Sequence, residues 1–366
     1  MNARALSFAA TLAAVVTVVG IEHLFLWERL VRDTGLPASF AVVLAVFGAS
    51  IPLAVVSSRV VAPRFARWWV TPAFLWLGVS VLLSFSLLAL GLFLDGRTLA
   101  ASALGLATVL SLWAGVEGRR VRVKRIELQL ARLPRELDGL RLVQLSDVHL
   151  GPTNGRAFLE RVVDTVNRLS PDAVVLTGDL VDAPVSRLTD EVAPLARLSS
   201  TFGSFFVTGN HEYHAGPAAW CAHLSSLGIR VLRNERVTLQ RGGASLDLAG
   251  TDDSDVAGQV EGFHEDLPRA LAGRDARRPL VLLAHQPKSV LEAAQLGVDL
   301  QLSGHTHGGQ LWPMGWLLRA SQPAVAGLRH FGETLLYVSR GTGHSGPPMR
   351  LASPAEITEV ILKVRS

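Results

Sequence analysis

The chain has 366 residues, more than one average domain of about 150 residues, and 49% of them are hydrophobic against 18% charged. The apolar excess lies almost entirely before residue 117, which excludes a chain that meets water throughout and divides it into two parts facing different solvents. A single cysteine, Cys221, excludes an intramolecular disulfide and a CxxC zinc site, while the net charge of +4 invites a nucleic-acid reading that must compete with a membrane one.

Four stretches, at approximately 5–27, 36–58, 68–94 and 98–116, meet the requirement of about 20 mainly apolar residues for a membrane span. The last three hold no charged residue, and the third is long enough that it must tilt or rest its ends among headgroups, where Trp68 and Trp69 fit. Pro52 and Pro72 fall inside spans, where neighbouring helices can re-satisfy freed carbonyls. Residues 5–27 follow Arg4 as a signal peptide would, but no small-residue cleavage site closes them and further spans follow, so they read as an anchor. Glu22 and His23, close to the end of that span, are expected at the membrane interface.

Arg4, Arg59, Arg64, Arg67, Arg119, Arg120, Arg122, Lys124 and Arg125 would fall on one side of such a bundle, and only Arg29, Arg32 and Arg97 on the other. The positive-inside rule then places both termini in the cytoplasm and predicts a multi-pass cell-membrane protein with a cytoplasmic C-terminal domain. Within this scheme the run Arg119–Arg125 serves as a juxtamembrane contact with anionic lipid, and no nucleic acid is expected as a partner. The expected division is an all-α membrane domain at 1–117 and a second domain at 118–366.

Beyond residue 118 the pattern becomes short apolar runs broken by loop chemistry. Residues 123–130 alternate with period two, as a half-buried strand does, and 140–146 read as a second strand that ends at Asp147-Val148-His149. Residues 156–169 have helical spacing, with Asn154 placed to cap them. The β-branched run 173–176 predicts a buried strand ending in Thr177-Gly178-Asp179, and 204–207 another ending in Gly209-Asn210-His211-Glu212. A helix is expected near 188–198 and at 218–227, with short strands at 229–232, 236–240 and 244–249. The run 280–284 leads to His285, and 298–302 leads to Gly304-His305-Thr306-His307. Residues 334–338 and 356–362 are the last expected strands.

Five strand-like runs therefore exit directly into Asp, His or Asn, and loops at the carboxyl ends of strands are where alternating α/β architectures place their sites. Imidazole, carboxylate and amide groups without thiolate suit Mn, Fe, Zn or similar divalent ions. The set is too large for one ion and fits two, roughly 3.5–4 Å apart and sharing a bridging carboxylate, a pair that acidifies water and polarises phosphoryl oxygens. Phosphate-ester hydrolysis is the chemistry to which such a pair is suited.

The blocks Asp147-Val148-His149, Gly178-Asp179, Gly209-Asn210-His211-Glu212, His285 and Gly304-His305-Thr306-His307 occur in the order that resembles the calcineurin-like metallophosphoesterase superfamily. Ser146–Gly151, Gly304–Gln310 and Ser339-Arg340-Gly341 resemble more narrowly its bacterial membrane-associated YkuE/YaeI-like branch. The resemblance implies a four-layer αββα sandwich of two mixed sheets with helices outside. It also implies one metal on Asp147, His149 and His307, the other on Asn210, His285 and His305, and Asp179 bridging them. His211 would be the catalytic residue, stabilising the transition state or protonating the leaving oxygen. The expected substrate is a phosphate mono- or diester, with a lipid or lipid-linked headgroup favoured by the anchor. The competing readings are a nucleotide or nucleic-acid phosphodiesterase and a non-catalytic membrane sensor or transporter.

Arg340 and Arg350 could bind a substrate phosphate or order their own loops, and Asp252-Asp253 could tune the site or form a polar turn. His214, His223, His264, His330 and His344 belong to no block. The apolar segment 311–318, beside a polar block, either packs on the sheet or leans on the bilayer.

Overall fold

The computed structural model describes residues 3–256 and 260–365. Its first part is four antiparallel helices, α1 (Ala3–Trp27), α2 (Ser39–Val60), α3 (Pro63–Leu90) and α4 (Gly96–Gly118), all long and apolar enough to cross a membrane. Small residues line their contacts, Ala54, Ala66 and Ala73 in one cluster and Ala103 and Ala107 with Leu26, Leu83, Leu87 and Leu99 in another, so the backbones approach closely. Val42, Val46, Leu53, Val109 and Leu112 point outward and are exposed, which is what lipid-facing positions require.

One expectation is corrected here. The third helix begins at Pro63 and ends at Leu90 rather than covering 68–94. Proline is pre-organised for the first helical turn, and Gly91 ends the helix, leaving Leu92 and Phe93 apolar but in an exposed turn that hydropathy cannot tell from helix. A π-helical turn, Glu28–Arg32, extends α1 past Trp27. Glu22 and His23 turn their side chains into the bundle. There Trp76 Nε1 donates to His23 Nε2 at 2.9 Å and Ser84 Oγ to Glu22 Oε1 at 3.4 Å.

The second part holds two six-stranded mixed sheets. In chain order the strands are β1 (Val121–Leu130), β2 (Arg141–Leu145), β3 (Ala173–Thr177), β4 (Ser204–Val207), β5 (Ile229–Val231), β6 (Glu235–Arg241), β7 (Ala244–Gly250), β8 (Leu280–Leu283), β9 (Leu300–Ser303), β10 (Gly327–Phe331), β11 (Thr334–Val338) and β12 (Ala355–Val364). One sheet runs β1-β12-β2-β3-β4-β5 and the other β10-β11-β9-β8-β7-β6. β2, β3, β4 and β5 are mutually parallel, as are β7, β8, β9 and β11.

The sheets face each other across a core that includes Leu142, Val175, Phe205, Val207, Leu248, Val281, Leu302 and Tyr337. Helices α5 (Arg156–Arg168), α6 (Val185–Val192), α7 (Asn210–Ala215) and α8 (Pro217–Ser226) follow strands of the first sheet, and α5, α6 and α8 cover its outer face through Leu159, Val163, Leu188 and Trp220. Helices α9 (Leu267–Leu271) and α10 (Val290–Gln295) cover the second through Leu267, Leu271 and Ala293, and α11 (Met314–Leu318) lies beyond β9. Helix, sheet, sheet, helix is the expected four-layer order.

Asn154 does not cap α5. Gly155 occupies that position, and the Asn154 amide instead donates to the carbonyls of Val148 and His149, tying down the loop after β2. The two parts of the molecule meet where Pro347–Leu351 packs on α3 and α4: a Cβ on Gly118 would lie 2.9 Å from Met349 Cα, and the Arg350 N–H donates to the Ala114 carbonyl at 2.9 Å. The segment 311–318 does not pack on the sheet as expected but begins against the membrane helices α3 and α4. Leu311 is buried against Val79, Leu82 and Leu110, while Trp312, Trp316 and Leu317 remain exposed.

Candidate metal centre

Because the central strands of each sheet are parallel, their carboxyl ends share an edge, and every expected ligand lies there. Asp147 and His149 follow β2, Asp179 follows β3, Asn210 and His211 open α7 after β4, His285 follows β8, and His305 and His307 follow β9. The ligand atoms of Asp147, His149 and His307 lie within 4.8 Å of one another, and so do those of Asp179, His285 and His305. Asn210 Oδ1 is 3.0 Å from His305 Nδ1. Asp179 Oδ2 lies between the groups, 3.3 Å from His285 Nε2, 3.8 Å from His149 Nε2 and 4.0 Å from His211 Nε2.

The backbone is strained to achieve this. Asp147, His149, Asp179, His305 and His307 all have positive φ, between 49° and 70°, a region costly for residues with a Cβ and found where surrounding structure over-determines it. Two glycines supply the clearance. A Cβ on Gly209 would meet Asp179 Oδ1, and one on Gly304 would meet Asp147 Oδ2.

The donor arrangement fits cations. His285 Nδ1 is 2.7 Å from the Thr177 carbonyl, which can only accept, so its Nδ1 carries the hydrogen and the buried Nε2 presents a lone pair to the Asp179 carboxylate, with no hydrogen-bond partner of its own. His149 Nδ1 likewise donates to Asp182 Oδ1 at 2.8 Å, leaving its Nε2 lone pair 3.0 Å from His307 Nε2. Lone pairs converging on a carboxylate repel unless a positive charge sits among them, and hard or borderline divalent ions accept this imidazole, carboxylate and amide set.

Two site residues escaped sequence reading. Asp182 accepts from the Nδ1 of both His149 and His211, the latter at 2.7 Å, and so sets two rings with one carboxylate. The signal was present as a second aspartate three residues after Asp179. Glu212 has no sequence signal beyond its place in the Gly209–Glu212 block. Its buried carboxylate accepts from the backbone N–H of Gly209 at 2.7 Å, Asp179 at 3.0 Å, Leu180 at 2.7 Å and Val181 at 3.2 Å, locking the β3 and β4 exits together.

For the chain's own charges, burial opposes protonation of His211, but Asp179 and Asp182 outweigh it and lift the imidazole to about 9. His305 is instead lowered to about 4, chiefly by burial. Of the histidines outside the blocks, His214 lies beside His211 with ring centroids 6.3 Å apart and is held near 4, chiefly by burial. His344 is buried with Nδ1 unpartnered.

Arg350 does not face a substrate phosphate. Fully buried, it donates to the carbonyls of His307 at 3.2 Å, Arg340 at 2.6 Å and Ser353 at 3.1 Å, and thereby fixes the loop carrying His307. Arg340 pairs with Glu356 at 3.1 Å. Asp252 pairs with Arg233 at 2.8 Å, and Asp253 approaches the Gln286 amide at 3.3 Å, next to His285.

Residues 140–309 match the family described as calcineurin-like phosphoesterase. An uncharacterized metallophosphoesterase of Aquifex aeolicus is 36% identical over 262 residues, covering 70% of this chain and 98% of that protein. The chain belongs to the calcineurin-like phosphoesterase family. Within it, an uncharacterized metallophosphoesterase of Bacillus subtilis, YkuE, is 32% identical over 256 residues, covering 68% of this chain and 87% of its own length. A transmembrane protein with metallophosphoesterase domain from Danio rerio is 44% identical over 250 residues, 66% of this chain. The match covers 57% of that fish protein's length. With four apolar helices ahead of the family domain, this phosphoesterase-family chain is a membrane protein.

Proposed function

We propose that the chain is a membrane-anchored, binuclear metal-dependent hydrolase of phosphate mono- or diesters. The observation that carries this reading is the convergence of the His285 and His149 lone pairs on Asp179, with a further carboxylate, amide and two imidazoles around them. Asp147, His149 and His307 would hold one ion, Asn210, His285 and His305 the other, and Asp179 would touch both. When bound, two divalent ions of the Mn, Fe or Zn kind supply the charge that acidifies water and polarises phosphoryl oxygens.

The chain's own residues have separate tasks. His211 is bound through Nδ1 to Asp182 and points Nε2 towards Asp179, so it presents a protonated Nε2 at the edge of the site for a leaving oxygen. Asp182 holds the His149 and His211 rings, Glu212 holds the backbone under Asp179, and Arg350 holds that of His307.

A screen of generic soluble mono- and diesters with Mn-supplemented protein, run beside His211→Ala, tests the reading. Turnover in the wild type that falls in the variant is the expected result; no turnover of either ester class, with His211→Ala indistinguishable, would make the domain a binding module.

The division at 117/118 and the cytoplasmic placement of residues 118–366 are part of the same proposal. Arg59 in the last turn of α2, Arg64 and Arg67 in the first turns of α3, and Arg119 just after α4 lie on the side of the bundle where the second part begins. A C-terminal reporter fusion is expected to be active only if it functions in the cytoplasm; activity of a reporter that works only outside it would reverse the topology.

A further inference from the structure

A cleft of about 780 Å³ separates the first turns of α3 from the segment that follows His149. One wall carries Arg64, Arg67 and Trp68, and the other carries Gly151, Arg156 and Arg161. Four arginines thus face two carboxylates, Glu160 and Glu191, and both carboxylates are engaged by Arg156: Glu160 accepts from its guanidinium at 2.9 Å and Glu191 from its backbone N–H. Among the described residues the guanidiniums of Arg64, Arg67 and Arg161 have no ion pair or hydrogen bond. Arg64 and Arg67 lie only over the rings of Phe65 and Trp68, at 4.8 and 5.1 Å. Three uncompensated cations around one concavity create a field that an anion with several acceptor oxygens relieves.

The position of the cleft says where that anion comes from. Arg64 and Arg67 occupy the first two turns of a membrane-length helix, and Trp68, 72% exposed, sits at the level where indole rings meet headgroups. Pro72, one turn further along α3, and Phe158 give the same cleft apolar surface. Its inner end adjoins the metal centre: a Cβ on Gly151 would lie 3.6 Å from Asp182 Cβ, and Asp182 holds both His149 and His211.

We propose that this cleft binds the phosphate head group of a membrane phospholipid, seated among Arg64, Arg67 and Arg161, with its acyl chains running past Trp68 and Pro72 into the bilayer. Taken with the hydrolase reading, on which this extension rests, the substrate class is an amphiphilic phosphate ester delivered from the leaflet to the Asp182 side of the site.

The test is equilibrium binding of a fluorescent phosphatidic acid to the full chain in detergent micelles. The variant Arg64→Gln/Arg67→Gln/Arg161→Gln is expected to bind about tenfold or more weakly. The control Arg230→Gln/Arg269→Gln/Arg277→Gln removes equal charge outside the cleft and is expected to bind as the wild type does. Undiminished binding in the cleft variant, or an equal loss in both, overturns the site. Displacement by inorganic phosphate as readily as by unlabelled phosphatidic acid would make it a site for free phosphate and overturn the lipid assignment. If the triple variant does not fold, Arg161→Gln alone, on the exposed face of α5, is expected to weaken binding severalfold, and no change there overturns the proposal. Because binding is read without turnover, a chain that hydrolyses nothing counts against the hydrolase reading while this result stands or falls separately.

Discussion

Asp179→Asn is expected to lower bound metal from about two ions per chain to fewer than one, and hydrolysis by about 10³-fold or more. The carboxylate faces three imidazole nitrogens, His285 Nε2 at 3.3 Å, His149 Nε2 at 3.8 Å and His211 Nε2 at 4.0 Å. An amide keeps the volume and one acceptor oxygen, so the His211 N–H bond to Oδ1, 2.8 Å in the native chain, can persist. What it removes is the negative charge between the two groups of ligands, and with it the offset to repulsion between two divalent ions. Metal analysis after dialysis and steady-state rates on a soluble ester check this together. Two ions retained in Asp179→Asn would exclude Asp179 as the shared ligand.

His211→Ala should behave differently, lowering kcat by about 10²- to 10⁴-fold while leaving metal content unchanged. The ring is positioned by Asp182 through Nδ1, and the surrounding carboxylates favour its charged form, lifting it to about 9. Loss of a proton donor falls on the chemical step, so KM for an ester with a poor leaving group should change far less than kcat. An ester whose leaving group needs no proton should show a smaller deficit. Equal losses on both esters would assign His211 to holding the site rather than to proton transfer. Since Asp182 also holds His149, alanine at 182 would disturb a ligand as well, which makes His211 the cleaner probe.

Much of this site is legible in the sequence because strand exits are. β3 is Ala-Val-Val-Leu-Thr with every residue buried, and a wholly apolar β-branched run followed by Gly-Asp declares both the strand and the polar group at its end. β4, β8 and β9 are likewise buried along their whole length and exit into Asn210, His285 and His305, so the expected ligands can be gathered from strand exits alone. What could not be read depends on contacts between distant segments. Arg350 supports His307 from 43 residues away through backbone carbonyls, which carry no sequence signal. The positive φ of five expected ligands is imposed by the packed loops around them and not by residue type. β10 was missed because it is an exposed edge strand with no buried alternation, paired only to β11. Hydropathy likewise cannot register that Trp76 and Ser84 wait across the bundle to bond His23 and Glu22.

The contact between the two parts of the molecule links anchor and site. Arg350 donates its backbone N–H to the Ala114 carbonyl of α4 and its guanidinium to the His307 carbonyl, so one residue joins a membrane helix to the loop carrying His307.

Counting metal in single-histidine variants tests most directly that the two halves of the Gly304–His307 block serve different ions. His305 lies with Asn210, 3.0 Å away, and with His285 and Asp179, while His307 lies with His149, 3.0 Å away, and Asp147. Dialysed wild-type protein is expected to retain about two divalent ions per chain, and His305→Ala and His307→Ala about one each, the remaining ion sitting in a different half of the site in each variant. Zero ions in both variants, or two in both, would contradict that division.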